Sequence, residues 1–252
     1  MFLQKLVYQM LLTGFPSLTY NPITKNPFHA NFKVDTNSLY INYVLNEDAR
    51  SKIESYIDDD IELEQISLEK GKSKNFFLSI NIYNVTSPIL NTLNTVTRCE
   101  INTYVKRKSD GKKGTIILDY SSNSLSMDPV NIFKPRSFST HYIKNKNRID
   151  ITALSKEFQL FGYIDIENND KHIFVNHRDL HKYTDNIFYN NGIYDKIYYD
   201  SSLTHCKTLK PINNEISFYF DGIQYNKPYS VFYFTTPLCF SGAMWYNIYN
   251  ED

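Results

Sequence analysis

Glycine is scarce in this chain, with 8 among 252 residues, and no Pro/Gly/Ser-rich linker, charge block or fixed-period repeat interrupts it. The absence of such a break leaves no internal boundary, so residues 1–252 are expected to form one domain, long enough to bury a substantial core. Cysteine is scarcer still. Cys99, Cys206 and Cys239 are an odd set without paired spacing, which argues against a secreted disulfide scaffold and for a reducing, cytoplasmic location. Neither sign of charge is in excess, since Lys plus Arg and Asp plus Glu number 27 each. A global field that attracts nucleic acid or an anionic membrane is therefore absent. No long hydrophobic run occurs either. The apolar stretch at residues 1–12 is broken by Gln4, Lys5 and Gln9, too often for a signal-peptide core. It predicts an amphipathic helix at about 2–13, with no membrane insertion.

What the chain does contain is aromatic and β-forming. Tyr and Phe number 21 and 17, and Tyr, Ile, Val and Thr recur in short alternating runs that favour sheet. The most informative stretch is 100–120, in which Asp110-Gly111 divides two alternating segments and predicts a hairpin with a two-residue loop. In that register Lys106 faces Thr115, Tyr104 faces Ile117 and Asn102 faces Asp119. One face then carries Ile101, Thr103, Val105, Ile116, Leu118 and Tyr120. The other carries Glu100, Asn102, Tyr104, Lys106, Thr115, Ile117 and Asp119, a mixed set suited to solvent or to the polar lining of a barrel.

Further strands are predicted at 32–45, with a bend at Asn37-Ser38, and at 61–67, 76–84, 148–154, 158–166, 172–176, 196–199, 215–220 and 230–235. Asn46 caps a helix whose first turn holds Glu47 and Asp48 and whose apolar face holds Ala49, Ile53 and Ile57. A second short helix is predicted at 179–188. So many strands imply a closed or nearly closed antiparallel sheet, which removes exposed edges. The acidic triplet Asp58-Asp59-Asp60 lacks calcium-loop spacing and reads as a solvated turn. His177 and His181 have zinc-compatible spacing, with His172 nearby. Their polar setting offers no accompanying cysteine, so no metal is expected. Lys106, Arg107, Lys108, Lys112 and Lys113 around the hairpin tip read as a solvated turn.

The order of elements resembles the acetoacetate decarboxylase family. Tyr40-Ile41-Asn42-Tyr43, the capped helix and Ile61-Glu62-Leu63 resemble its opening strand, helix and acidic-aliphatic strand. Arg98, Glu100, Tyr104 and Lys106-Arg107 resemble its Arg-Glu and Tyr-Pro-Lys-Lys segment. The resemblance implies a β-rich α+β fold, a single domain built on an antiparallel β-barrel or cone. It gives Lys106 the role of a lysine that forms a Schiff base with a β-keto acid, without a cofactor. Such a lysine must be neutral near pH 7, which desolvation or neighbouring cations achieve. Val105 and Arg107 stand where the family has proline and its second lysine. Residues 83–95 hold no carboxylate for the family's separate glutamate, and 28–43 hold no arginine.

Three functions follow as expectations. The first is a family-like protein that binds a small organic acid, keto acid or apolar ligand in a barrel cavity, without full decarboxylase activity. The polar face would supply Glu100, Asn102, Tyr104 and Asp119 as binding residues. The second is a Schiff-base lyase using Lys106, and the third a tyrosine-rich interaction module. All are compatible with a homo-oligomer.

Overall fold

The protein is described by a computed structural model covering residues 29–34, 38–69, 71–86, 96–122, 139–166, 186–188, 194–199, 208–209, 213–234 and 238–243. In chain order its elements are β1 (His29–Val34), β2 (Ser38–Val44), helix α1 (Glu47–Glu54), β3 (Ile61–Leu63), β4 (Phe77–Thr86), β5 (Val96–Arg107) and β6 (Lys113–Ser122). There follow β7 (Ser139–Asn145), β8 (Arg148–Leu154), β9 (Phe158–Asp165), β10 (Asn186–Phe188) and β11 (Tyr194–Tyr199). The last are β12 (Thr208–Leu209), β13 (Asn213–Phe220), β14 (Ile223–Tyr225), β15 (Ser230–Phe234) and β16 (Leu238–Ala243).

These strands form two sheets. The larger has 11 strands in the order β12-β15-β2-β4-β1-β16-β11-β10-β6-β5-β3, and an additional β4–β5 pairing joins it back on itself. Strands β4, β1, β16, β11, β10, β6 and β5 are thus a circuit of hydrogen-bonded neighbours, mostly antiparallel, with β10–β6 a parallel pair. The second sheet runs β14-β13-β9-β8-β7 and is antiparallel throughout.

Alternation explains how the sheets meet. Leu39, Ile41 and Tyr43 of β2, Leu78, Ile80 and Ile82 of β4, and Cys99, Ile101 and Val105 of β5 point one way. They pack with Ile149, Ile151, Phe158, Leu160, Ile164, Phe218 and Phe220 of the second sheet in one buried cluster. Tyr43 stacks on Phe218 with ring centroids 5.5 Å apart, inside the range for favourable aromatic pairs. Helix α1 closes one side. Asn46 caps it by accepting from the Ala49 amide at 2.8 Å, and Ala49 and Ile53 are its buried face. Its Lys52 reaches Asp221 beside the β13–β14 turn at 3.0 Å, which ties the helix to the second sheet.

Several elements differ from the sequence-based expectation. The predicted strand at 32–45 is two strands, with the register against β4 changing between Val34↔Val85 and Leu39↔Ile82, where the bend at Asn37-Ser38 was expected. The predicted helix at 179–188 ends in strand: residues 186–188 are β10, which finds hydrogen-bond partners on both β6 and β11. The predicted helix at 2–13, the strand at 172–176 and His172, His177 and His181 lie outside the described residues.

The hairpin exists, but its loop is longer than two residues. Lys106 pairs with Lys113 and Tyr104 with Thr115. The Arg107 amide donates to the Lys112 carbonyl at 2.8 Å, and the Gly111 amide donates to the Arg107 carbonyl at 2.9 Å. Gly111 alone takes a left-handed backbone, at φ +69. Asp110 instead uses its carboxylate, accepting from the Lys112 amide and from the Arg107 guanidinium, so it closes the wider turn with its side chain. Asp60 meanwhile accepts from the Ser109 amide and hydroxyl, giving the acidic triplet a structural role at this turn.

Candidate functional site

On the face of the larger sheet turned away from the second sheet, a group of polar residues is also buried. Asn42 of β2, Ser79 and Asn81 of β4, Arg98 and Asn102 of β5 and Ser230 of β15 are all buried there. Ladder register gathers them: Asn42 lies between Ser79 and Ser230, Asn81 opposite Glu100, and Asn102 opposite Ser79. A polar row at the same level of successive strands needs mutual hydrogen bonds to be tolerated away from water. Ser79 Oγ donates to Asn42 Oδ1 at 2.6 Å, and Asn42 Nδ2 donates to Ser230 Oγ at 3.2 Å. The Asn42 amide is thereby satisfied at both ends.

Beyond this row lies an ion pair. Arg98 Nε meets Glu100 Oε1 at 2.5 Å, with side chains only 4% and 12% exposed. Tyr83 donates its hydroxyl to the same carboxylate oxygen at 2.9 Å, and the Arg98 guanidinium sits 4.2 Å from the centre of the Tyr120 ring. Burial and then the Glu100 carboxylate push the Tyr83 hydroxyl far above its ordinary range, so it stays a donor. Burial alone would lower the Arg98 pKa, but Glu100 and the nearby tyrosines outweigh it and hold the guanidinium charged.

Lys106 shares this face of β5 but lies at its far end, beyond Tyr104. Its amine is 2.6 Å from Glu62 and 3.8 Å from Glu64 on the β3 side, and the side chain is 34% exposed. The hydrogen bond to Glu62, with the charges of Glu62 and Glu64, raises its pKa. Lys113 pairs with Glu64, and Arg107 and Lys112 with Asp110, so acids interleave the basic residues of the hairpin tip. Lys108 donates to the Asp59 carbonyl at 2.6 Å.

The structure brings Glu100, Asn102 and Tyr104 onto the buried polar face and sends Asp119 elsewhere. Between Asn102↔Ile117 and Ile101↔Asp119 the β5–β6 register shifts, leaving Leu118 without a partner. This bulge exchanges the two faces of β6. Tyr120 therefore joins Glu100, and Asp119 points to the second sheet, where it accepts from the Ser155 hydroxyl. Glu100 and Asp119 do not share a face.

The sequence matches no protein-family model and no curated protein. Solved structures do match. Acetoacetate decarboxylase from Legionella pneumophila superposes at a TM-score of 0.50 and 9% identity, over 86% of this chain and 86% of that one. Another acetoacetate decarboxylase structure gives a TM-score of 0.51 at 11% identity, over 91% of this chain and 93% of that chain. The chain has the acetoacetate decarboxylase fold. At such identities the likeness concerns the backbone alone, and chemistry must be argued from side chains.

Within the acetoacetate decarboxylase fold, the sequence reading of the polar face missed Asn42, Ser79, Asn81, Tyr83, Tyr120 and Ser230, which share that face with Glu100. The signal for three of them was present in the alternation Phe77, Ser79, Asn81, Tyr83, which places Ser79, Asn81 and Tyr83 on one face of a long strand. Tyr120 had no such signal, because its position depends on the bulge. Among the described residues no group of His, Cys, Asp and Glu is placed to hold a metal ion. Nor is any helix there long and apolar enough to cross a membrane.

Proposed function

We propose that this protein uses the acetoacetate decarboxylase fold to bind a small organic acid or keto acid against the buried polar face, without Schiff-base decarboxylation. The observation that carries this reading is the contrast between the two ends of β5. At one end, Lys106 is partly exposed and flanked by carboxylates, which favours ammonium over the neutral amine that carbonyl attack requires. At the other, the guanidinium of Arg98 is buried among Glu100, Tyr83, Asn102 and Tyr120, a setting in which a planar fork of donors suits a carboxylate. Fixed polar groups on an otherwise enclosed surface orient a small ligand without having to react with it. The interleaved acids at the hairpin tip also support a small-molecule partner over a nucleic acid.

Borohydride trapping separates this reading from a lyase. With acetoacetate in excess, the wild-type protein and Lys106→Ala are reduced and analysed by intact mass. The expected result is no adduct in either, together with a rise in Tm when organic acids are added to the wild type. An adduct present in the wild type and lost in Lys106→Ala, with release of carbon dioxide, would establish the lyase instead.

A further inference from the structure

Among the described residues, two amide oxygens on the polar face have nothing to accept from. Asn81 and Asn102 are 8% and 4% exposed, and Oδ1 of each has no hydrogen-bond partner there. Asn42, on the neighbouring strand, shows what a satisfied amide looks like here, accepting from Ser79 and donating to Ser230. The orientation of Asn102 is fixed by charge: its Nδ2 is turned to Glu100 Oε2 at 3.5 Å, and flipping the amide would set its oxygen against a carboxylate. Asn81 pairs with Glu100 and Asn102 with Ser79, two rungs apart on the same face of β4–β5. Diagonal neighbours on such a ladder are about 7–8 Å apart, a span that one small molecule bridges. Buried acceptors left open in a folded protein call for a donor.

We infer that the ligand carries hydrogen-bond donors for Asn81 and Asn102, and that the preferred class is a small hydroxylated organic acid rather than a keto acid. This deepens the ligand-binding reading and rests on it. A keto acid anion brings only acceptor oxygens, which the two amide oxygens repel. A hydroxy acid of the same skeleton brings an O–H, and a dihydroxy acid can serve both asparagines. A site built to hydrogen-bond a hydroxyl discriminates strongly against an analogue that lacks it, because its own polar groups are then left unpaired.

The test compares matched probes on the full chain, with pyruvate, lactate and glycerate titrated by calorimetry and by thermal shift. Glycerate is expected to bind most tightly and lactate at least about tenfold more tightly than pyruvate. Asn81→Ala and Asn102→Ala are expected to erase that preference. The wild-type comparison stands without them should either variant fold poorly. Pyruvate binding as tightly as lactate and glycerate would overturn the inference and leave the ligand-binding reading intact. No binding by any of the three would overturn both.

Discussion

Lys106 Nζ lies 2.6 Å from Glu62 Oε1, across the β3–β5 ladder on which the two residues are directly paired. A cross-strand carboxylate of this kind stabilises the ammonium form, and Glu64 at 3.8 Å adds to it. Desolvation, which would act the other way, is the smaller influence. The amine to which the resemblance gives the nucleophile's role is thereby biased toward ammonium, the form that does not attack a carbonyl.

This relationship predicts a titration. Reductive methylation with a carbon-13 label makes each lysine visible by NMR, and Lys106 is expected to titrate above the ordinary lysine range. Because the folded value is raised, any stabilisation from the pair is present below that ordinary range and disappears as pH rises through the folded pKa. Glu62→Gln with Glu64→Gln should move the Lys106 signal back down. A Lys106 that titrates below a free lysine would revive the lyase.

Arg98 and Glu100 give the opposite kind of prediction, since both are withdrawn from water. Removing one partner leaves a buried charge uncompensated, so Arg98→Met or Glu100→Gln alone is expected to cost about 3–5 kcal/mol in urea unfolding. The double variant Arg98→Met/Glu100→Leu should recover most of this. Some loss should persist, because Tyr83 would no longer have its acceptor. A loss in the double variant equal to the sum of the two single losses would show that the two charges do not act as a pair.

The hairpin turn supplies a pH dependence. The Arg107 guanidinium beside Asp110, reinforced by the Lys112 amide, holds its carboxyl well below the usual carboxylate range. A depressed folded pKa contributes stability that is full above the unfolded value, about 3.9, and is lost as pH falls through the folded one. The turn is exposed, so Asp110→Ala is expected to cost only about 0.5–1 kcal/mol at pH 7. That difference from wild type should shrink below about pH 4. A difference that stays constant to low pH would mean that Asp110 acts through its backbone rather than its charge.

Much of the fold could be read from residues, because burial of one strand face imposes alternation. Phe76 to Asn84 and Arg148 to Leu154 show it clearly, and both are strands within two residues of the expected limits. The capped helix was legible for a local reason, since Asn46 and the acidic first turn act on the amides beside them. Two things were not legible. The β7–β8 hairpin turns at Lys146-Asn147 with Lys146 at φ 47, so no glycine announces it. The bulge at Leu118 leaves no mark on the alternation, yet it decides that Tyr120 and not Asp119 accompanies Glu100. For the site, the sequence offered Glu100, Asn102 and Tyr104 as a polar face that solvent or a ligand could equally wet. Only the pairing of β2 with β4 and β15 shows that Asn42, Ser79 and Ser230 continue that face, and only their burial shows that solvent does not wet it.

At Gly162, β9 approaches the backbone of β13 too closely for a side chain. The glycine lies on β9 between Ile151 of β8 and Ile216 of β13, with φ +151, a backbone that side chains avoid. A Cβ placed there would lie 2.0 Å from the Glu215 carbonyl oxygen and 2.9 Å from the Ile216 Cα. Both obstacles are backbone, so no rotamer change relieves them, and β13 would have to move away from β9. That displacement reaches Phe218 and Phe220, which form the floor of the shared core. Gly162→Ala is therefore expected to cost about 3 kcal/mol or more, combining backbone strain with loosened packing. Glu215→Ala, which keeps the same carbonyl, should not relieve it. Urea unfolding of the two single variants and their combination would check this, and a Gly162→Ala protein as stable as wild type would contradict the close β9–β13 approach.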